Sequence, residues 1–297
     1  MTKSGFVAIV GRPNVGKSTL INTIIGKKIA ITSTKPQTTR HRISGIYTKN
    51  DKQIVFIDTP GMHKAKDLLN KRIDRLAVRT LRDVDKILFV VDKEIGMAEE
   101  HIISYFENIN TPVYLIINKI DKLNYKKGRI DKIILSYINK YNFKGVYPIS
   151  AKENENITFL MNDLLKDLKE GPFYYPTDMI TDQSEKTIMA EFVREKILKY
   201  TEEEVPHQSA VTIEKLEYNE EYKQLDVNVL IYVERESQKR IIIGKSGTKL
   251  KEIGKEARLD INNRFKVKTH LNIWVKVKKG WTNNLRDINV FGYGLDD

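Results

Sequence analysis

Lys17 and Ser18 close the octet Gly11-Arg12-Pro13-Asn14-Val15-Gly16-Lys17-Ser18, which has the spacing G-x-x-x-x-G-K-S. Its glycines let backbone N–H groups curl around phosphate oxygens. The lysine ammonium then reaches the β- and γ-phosphates, and the serine hydroxyl ligates Mg²⁺. The apolar run Phe6–Val10 before it predicts a strand, and Thr19–Ile25 after it predicts a helix whose N-terminus adds a positive dipole end. Val15 and Thr19 are counted with this cradle. Asp58-Thr59-Pro60-Gly61 follows a second apolar run, Ile54–Ile57. An aspartate at a strand end can hold Mg²⁺, and the Gly61 N–H can sense a γ-phosphate. Asn118-Lys119-Ile120-Asp121, after Val113–Ile117, addresses the base. Guanine presents donors at N1 and its 2-amino group, and one carboxylate, Asp121, accepts both. Asn118 is assigned to the N7/O6 edge and the Lys119 stem to the ring face. Ser150-Ala151-Lys152, after Val146–Ile149, is assigned as backbone donors to the 6-oxygen. A purine that leaves such groups unpaired is disfavoured by about 10⁴-fold. The expected ligands are GTP and GDP with Mg²⁺.

Between Lys27 and Arg42 the polar stretch Thr32–His41 is expected to be a mobile segment that orders on the γ-phosphate. Thr38 or Thr39 would complete the Mg²⁺ shell, and Thr39, directly before Arg40, is favoured; the metal set is then Ser18, Thr39 and Asp58. The residue after Gly61 is Met62, which cannot orient a water as a glutamine does, so slow intrinsic hydrolysis is expected. The residues assigned to catalysis are Lys17, Thr39, Gly61 and Asn14. Asn14 is there because its side chain can help hold a monovalent cation, K⁺, near the bond that breaks. Arg40 and Arg42 are other charge donors, read as solvated side chains.

A second motif lies in the C-terminal half. The apolar run Ile241-Ile242-Ile243 leads into Gly244-Lys245-Ser246-Gly247 and then a helical pattern, Thr248–Phe265. An apolar segment, a G-x-x-G loop and an amphipathic helix form the KH arrangement, whose glycines admit a nucleic-acid backbone and whose groove takes about four unpaired bases. Ile243 through Gly247 and the helix cations Lys249, Lys251, Lys255 and Arg258 are the RNA-contacting candidates. Residues 182–238 carry 7 Lys/Arg against 14 Asp/Glu, whereas 239–286 carry 14 against 3. A basic block so concentrated suits a phosphate-backbone binder. Trp274 and Trp281 are candidates for base stacking or for core packing.

The elements that must position these residues follow from the apolar pattern. Up to about residue 168, short β-branched runs alternate with amphipathic stretches (Leu68–Leu81, Arg129–Tyr141, Ile157–Leu168), which implies a mostly parallel sheet covered on both faces. Lys169–Asp182 breaks that pattern with Gly171, Pro172 and Pro176. The second half reads helix, strand, strand, helix, helix, strand. The expected fold is therefore an α/β P-loop GTPase domain over residues 1–170, a semi-rigid linker over 171–182, and an α+β KH domain of type II over 183–297. The chain has 297 residues, a formal net charge of +12 and no cysteine, which excludes disulfides and thiolate metal sites and points to an acidic partner. Its apolar runs are strand-length, and it is read as soluble and cytoplasmic.

With these residues in view, the chain resembles the Era family of bacterial ribosome-assembly GTPases, part of the TrmE-Era-EngA-like group. GRPNVGKSTLIN, KPQTTRHR, DTPGMH, NKID and SAK are similar to that family's nucleotide motifs. IIIGKSGTKLKEIGKEAR and WVKVKKGW are similar to its KH domain. Ser246, within G-x-x-G, stands where glycine is commoner, and Met62 stands where Ile or Leu is usual. The resemblance implies a GTP-dependent switch, a monomer, that binds single-stranded RNA near the 3′ end of small-subunit (16S) rRNA and helps the small ribosomal subunit mature. It also implies peripheral association with the cell membrane. Two alternatives remain open at this stage: an RNA-binding scaffold with a structural nucleotide, and a membrane-surface GTPase.

Overall fold

The structure is a computed structural model, and it describes all residues except 34, 36–37, 41, 62–67, 124–127 and 294–297. The chain forms two compact units, Met1–Ala65 with Ile73–Asp182, and Lys66–Arg72 with Gln183–Asp297.

The first unit is built on β1 (Lys3–Val10), α1 (Lys17–Ile25), β2 (Ile43–Lys49), β3 (Lys52–Asp58), α2 (Leu68–Thr80) from Ile73 onward, β4 (Lys86–Val91), α3 (Met97–Phe106), β5 (Val113–Ile117), α4 (Arg129–Ile138), β6 (Gly145–Pro148), α5 (Ile157–Lys166) and the short β7 (Lys169–Glu170). The strand order is β2-β3-β1-β4-β5-β6. The pairs β1–β3, β1–β4, β4–β5 and β5–β6 are parallel, while β2 runs antiparallel to β3 and β7 to β1. Near-continuous apolar strands follow from burial on both faces. In β1, Val7 and Ile9 enter one core and Ala8 and Val10 the other. Two elements of this unit did not announce themselves in the sequence. Strand β2 (ISGIYTK) and helix α3 (MAEEHIISYF) carry mixed patterns, and α3 starts from a capping arrangement in which Glu99 reaches back to the Gly96 N–H.

Residues 171–182, read from sequence as the linker, run along the first unit. The Gln53 side chain accepts from the Tyr174 and Tyr175 N–H groups (2.9 and 3.0 Å) and donates to the Tyr175 carbonyl (2.9 Å). Ile46 N–H donates to the Ile180 carbonyl, and the Tyr174 ring lies 4.4 Å from that of Phe6.

The second unit contains α6 (Glu185–Tyr200), β8 (Ala210–Asn219), β9 (Gln224–Val233), α7 (Glu236–Ile243), α8 (Thr248–Phe265), β10 (Thr269–Val277) and α9 (Leu285–Val290). Its sheet has the order β10-β9-β8, with β10 parallel and β8 antiparallel to β9. Helix α6 opens on Ser184, whose hydroxyl accepts from the Thr187 N–H (3.2 Å). The triple isoleucine ends α7, and only its middle member, Ile242, is fully buried. Ser246 has φ 51, in the left-handed region that glycine occupies most cheaply, which gives the departure at that position a concrete backbone cost.

Candidate functional site

The nucleotide motifs all lie at the carboxyl ends of parallel strands, where an open α/β sheet binds ligands. The loop from Gly11 to Gly16 joins β1 to α1. It needs glycine where it meets its neighbours: a Cβ on Gly11 would stand 2.3 Å from the Val90 carbonyl oxygen, and one on Gly16 2.3 Å from Asn118 Nδ2. Lys17 is buried under this loop, with Nζ donating to the carbonyls of Gly11 (3.0 Å) and Arg12 (3.1 Å). Burial lowers its pKa to about 8, against the raising influence of the Asp58 carboxylate.

Asp58, at the end of β3, is fully buried. Its Oδ2 accepts from the Ser18 hydroxyl (2.7 Å) and the Thr39 hydroxyl (3.2 Å), and those two hydroxyls are 2.9 Å apart. Thr38 Oγ instead donates to the Lys35 carbonyl (2.7 Å), so Thr39 is the threonine that joins Ser18 and Asp58. Burial raises the Asp58 pKa, opposed by Lys17 and by the two hydroxyl hydrogen bonds. Asp58 Oδ1 is buried with no hydrogen-bond partner. A buried carboxylate oxygen left over beside two converging hydroxyls is a hard-oxygen set that fits Mg²⁺, an ion held by few carboxylates and completed by substrate phosphates.

Pro13, Asn14, Gly16, Lys17, Ser18, Thr19, Thr39 and Gly61 line a cavity of about 580 Å³. A neighbouring cavity of about 710 Å³ is lined by Gly16, Thr19, Asn118, Lys119, Asp121, Ala151 and Lys152. Asn14, with φ 67, and Gly61 therefore both face the phosphate end. Val15 is buried, and its carbonyl accepts from Asn118. Met62 lies outside the described residues, as do four positions of the stretch Thr32–His41.

The base-reading loops differ from the sequence expectation in how their polar atoms are used. Asn118 is buried, donates from Nδ2 to the Val15 carbonyl (2.8 Å), and accepts at Oδ1 from the Lys119 and Ala151 N–H groups (2.8 and 3.0 Å). It rivets three loops together, and one amide hydrogen is left to face a base. The Ala151 N–H, assigned to the guanine 6-oxygen, is committed to Asn118. The Ser150 side chain has a role the sequence reading did not give it: its buried hydroxyl donates to Asp121 Oδ1 (2.6 Å) and fixes that carboxylate. Lys152 is exposed and paired with Glu153 (2.8 Å). Arg42 is exposed as expected. Arg40 is not, being 2% exposed where the chain enters the buried start of β2.

Sequence reasoning missed a charge network beside the loop. Arg12 Nε donates to Glu99 and its Nη2 to Asp92, while Lys119 Nζ donates to the other Asp92 oxygen (2.6 Å) and to the Asn14 carbonyl. Asp92 thus ties the phosphate loop to the base loop. The signal available was a carboxylate one residue past the apolar run of β4, as Asp58 is one residue past the apolar run Ile54–Ile57. Asn22 was missed too; its side chain holds the Ile29–Ala30 segment (2.7–2.9 Å).

In the second unit, Gly244 to Gly247 join α7 to α8. Gly244 and Gly247 both have positive φ, and a Cβ on Gly244 would meet Lys249 Cβ at 2.7 Å. A groove of about 340 Å³ runs between α8 and β10, lined by Leu250, Lys251, Gly254, Lys255, Arg258, Leu271 and Ile273. Three of the predicted contacts, Lys251, Lys255 and Arg258, line it. Lys245 and Ser246 are exposed on the loop, and Ile243, Gly247 and Lys249 are half-buried beside it. Trp281 is fully buried, its indole N–H donating to the Gln208 carbonyl (3.1 Å), which removes it from any stacking role.

The family model described as a 50S ribosome-binding GTPase matches residues 6–119, and a KH-domain model matches 204–282. GTPase Era of Alkaliphilus oremlandii is 49% identical over 293 residues, covering 98% of this chain and 99% of that protein. This chain belongs to the Era family of GTPases. GTPase Era of Clostridioides difficile is likewise 49% identical over 295 residues. A crystal structure of an Aquifex aeolicus Era variant bound to GDP·AlF4⁻ matches with a TM-score of 0.95 at 39% identity, covering 99% of this chain and 100% of that one. A crystal structure of Era with MgGDPNP and nucleotides 1506–1542 of 16S ribosomal RNA matches with the same TM-score, identity and coverage.

Proposed function

We propose that this GTPase uses GTP binding and hydrolysis to time its hold on single-stranded RNA, taking the 3′ end of 16S rRNA and assisting maturation of the 30S subunit. The observation that carries the reading is the pairing, in one chain, of the Lys17–Ser18–Thr39–Asp58 cluster with a cation-lined groove of KH type. The relative crystallised with MgGDPNP and 16S nucleotides supports the choice of RNA.

Within the cradle, Ser18, Thr39 and Asp58 would hold Mg²⁺, which when bound neutralises charge on the β- and γ-phosphates. Lys17 exchanges the Gly11 and Arg12 carbonyls for oxygens of the same phosphates, and the Gly61 N–H faces the γ-phosphate. Asp121, fixed by Ser150, accepts from guanine N1 and the 2-amino group. Asn14 borders the phosphate cavity, which supports its assignment as a ligand for K⁺; equal hydrolysis rates in potassium and sodium would end that assignment. Met62 offers no group to orient water, so a slow intrinsic rate is expected in single-turnover hydrolysis. Lys245, Lys249, Lys251, Lys255 and Arg258 supply the phosphate-facing charge around the groove.

RNA affinity measured separately with a GTP analogue and with GDP tests the switch. Unchanged affinity would favour a scaffold whose nucleotide is structural. We further assign the protein to the cytoplasm as a monomer. Among the described residues no helix is long and apolar enough to cross a membrane. Peripheral membrane association is what the family resemblance implies, and the net charge of +12 adds attraction to an anionic lipid surface. Co-sedimentation with anionic vesicles in competition with RNA decides that point, and light scattering decides the monomer.

A further inference from the structure

The last turn of α1 faces the base cavity, where Asn22, Thr23 and Gly26 join the lining. A helical threonine often satisfies its hydroxyl on the carbonyl four residues back. Thr201, at the end of α6, does so, donating to the Ile197 carbonyl (2.7 Å). Thr23 directs its hydroxyl elsewhere. It donates to the Ala151 carbonyl (2.7 Å), 128 positions further along the chain.

Ala151 is 1% exposed and is held on both its N–H and its carbonyl. The N–H donates to Asn118 Oδ1 (3.0 Å), and Asn118 Nδ2 donates to the Val15 carbonyl (2.8 Å). Val15 and Thr23 stand on one continuous stretch, the phosphate loop and α1, so these hydrogen bonds close a ring around Asn118 and Ala151. The turn that carries Ala151 is otherwise tied to itself: the Ser150 N–H and carbonyl pair with Glu155 (3.2 and 2.9 Å). Thr23 fastens that turn to α1. Its effect reaches the base reader through one neighbour, because the residue before Ala151 is Ser150, whose hydroxyl donates to Asp121 Oδ1 (2.6 Å).

We propose that Thr23 is a positioning residue for base specificity. By holding the Ala151 carbonyl it fixes Ser150, and through Ser150 the direction in which Asp121 presents its carboxylate to the guanine 2-amino group. It acts on the reader and not on the base. This inference rests on the assignment of Asp121 to guanine given above.

The test compares GTP with inosine triphosphate, in which hydrogen replaces the 2-amino group, by competition binding to the full chain with Mg²⁺. The unaltered protein is expected to prefer GTP. Thr23→Val keeps the shape and loses the hydroxyl. It should cut that preference by roughly two- to twelve-fold, the span of one net hydrogen bond. In steady-state hydrolysis the loss should fall on KM for GTP and not on kcat. Thr23→Ser should restore the preference, and Thr23→Ala, which adds no methyl group against the turn, should behave as Thr23→Val does. Combined with Ser150→Ala, Thr23→Val should add little, because both act through the same carboxylate. A preference unchanged in both Thr23→Val and Thr23→Ala, even with both nucleotides weakened equally, overturns the proposal while Asp121 stands as the reader. Losses that add fully with Ser150→Ala overturn it as well. If the unaltered protein does not distinguish the two nucleotides, the assignment of Asp121 falls and this inference with it.

Discussion

In the first unit, Lys17, Thr39, Asp58, Asn118 and Ser150 are each at most 6% exposed, and their polar atoms bond to one another or to the loops. In the second, Lys245, Lys251, Lys255 and Arg258 are exposed. Buried polar groups fix one another's geometry, and removing one strands its partners without water. Exposed cations contribute through a screened field and substitute for one another. A single substitution should therefore abolish nucleotide recognition but only dilute RNA binding.

The largest expected effect comes from exchanging the base reader. Asp121→Asn replaces an acceptor pair with one acceptor and one donor. Guanine's two donors then lose a partner, while xanthine, which carries a carbonyl in place of the 2-amino group, gains one. The preference for GTP over xanthosine triphosphate should fall by about 10⁴-fold, read by competition binding. Unchanged preference would remove Asp121 from the base site. Next comes Lys17→Ala, which forfeits charge-assisted bonds to two phosphates and should weaken GTP binding by about 10³-fold.

The buried ammonium also gives a pH signature. Without nucleotide or metal, the folded-state pKa of Lys17 is about 8 against 10.5 for the free side chain. Between those values the unfolded chain carries a proton that the folded chain lacks, so the stability of the nucleotide-free protein should rise with pH across that window. Below it, Lys17 is charged in both states and contributes no slope. Binding runs the other way: phosphate needs the charged form, so above pH 8 complex formation takes up a proton and affinity falls by up to about tenfold per unit. Calorimetry in two buffers of different ionisation heat measures that uptake, and Lys17→Met should abolish it.

The Asp92 hub should give a smaller effect. Asp92→Asn leaves Arg12 and Lys119 facing one another across a weakened acceptor, and GDP release should quicken by roughly tenfold as the phosphate and base loops uncouple. Glu99→Gln keeps the cap on α3 but removes the carboxylate charge that faces Arg12, and should quicken release less than Asp92→Asn does. Stopped-flow release of a fluorescent GDP reads both, and an unchanged rate for Asp92→Asn would reduce the network to a local surface bridge.

The loops that bind nucleotide were legible because their chemistry tolerates few residue types at fixed spacing: Gly11, Gly16, Lys17, Asp58 and Asp121 could each be assigned from the motif and the apolar run before it. What the sequence withheld was the bookkeeping of shared polar atoms. Asn118 and Ala151 both look available to a base, and only their mutual hydrogen bond shows that they are partly spent on each other. Asp92 and Glu99 lie 80 and 87 positions along the chain from Arg12, so no local pattern links them to it. Strand β2 was hidden because its pairing with β3, rather than its own periodicity, makes it a strand. The two tryptophans were indistinguishable as letters, and burial separates them.

The smallest effects are expected on α8, and they test the other half of the comparison. Lys251, Lys255 and Arg258 line the groove from one helix face without a buried partner to strand. Replacing any one by alanine should weaken a groove-length RNA only a few-fold and lower the slope of log affinity against log salt by about 0.7, the value for one phosphate contact to a single strand. The three losses should add, because each cation acts through the same screened field and none holds another in place. Sequence preference among RNAs should stay unchanged, since phosphate contacts position a strand without reading it. A single variant that abolished binding, or changed which RNA is preferred, would mean that this side chain is locked into a base contact as tightly as Asp121 is, and the contrast between the two units would not hold.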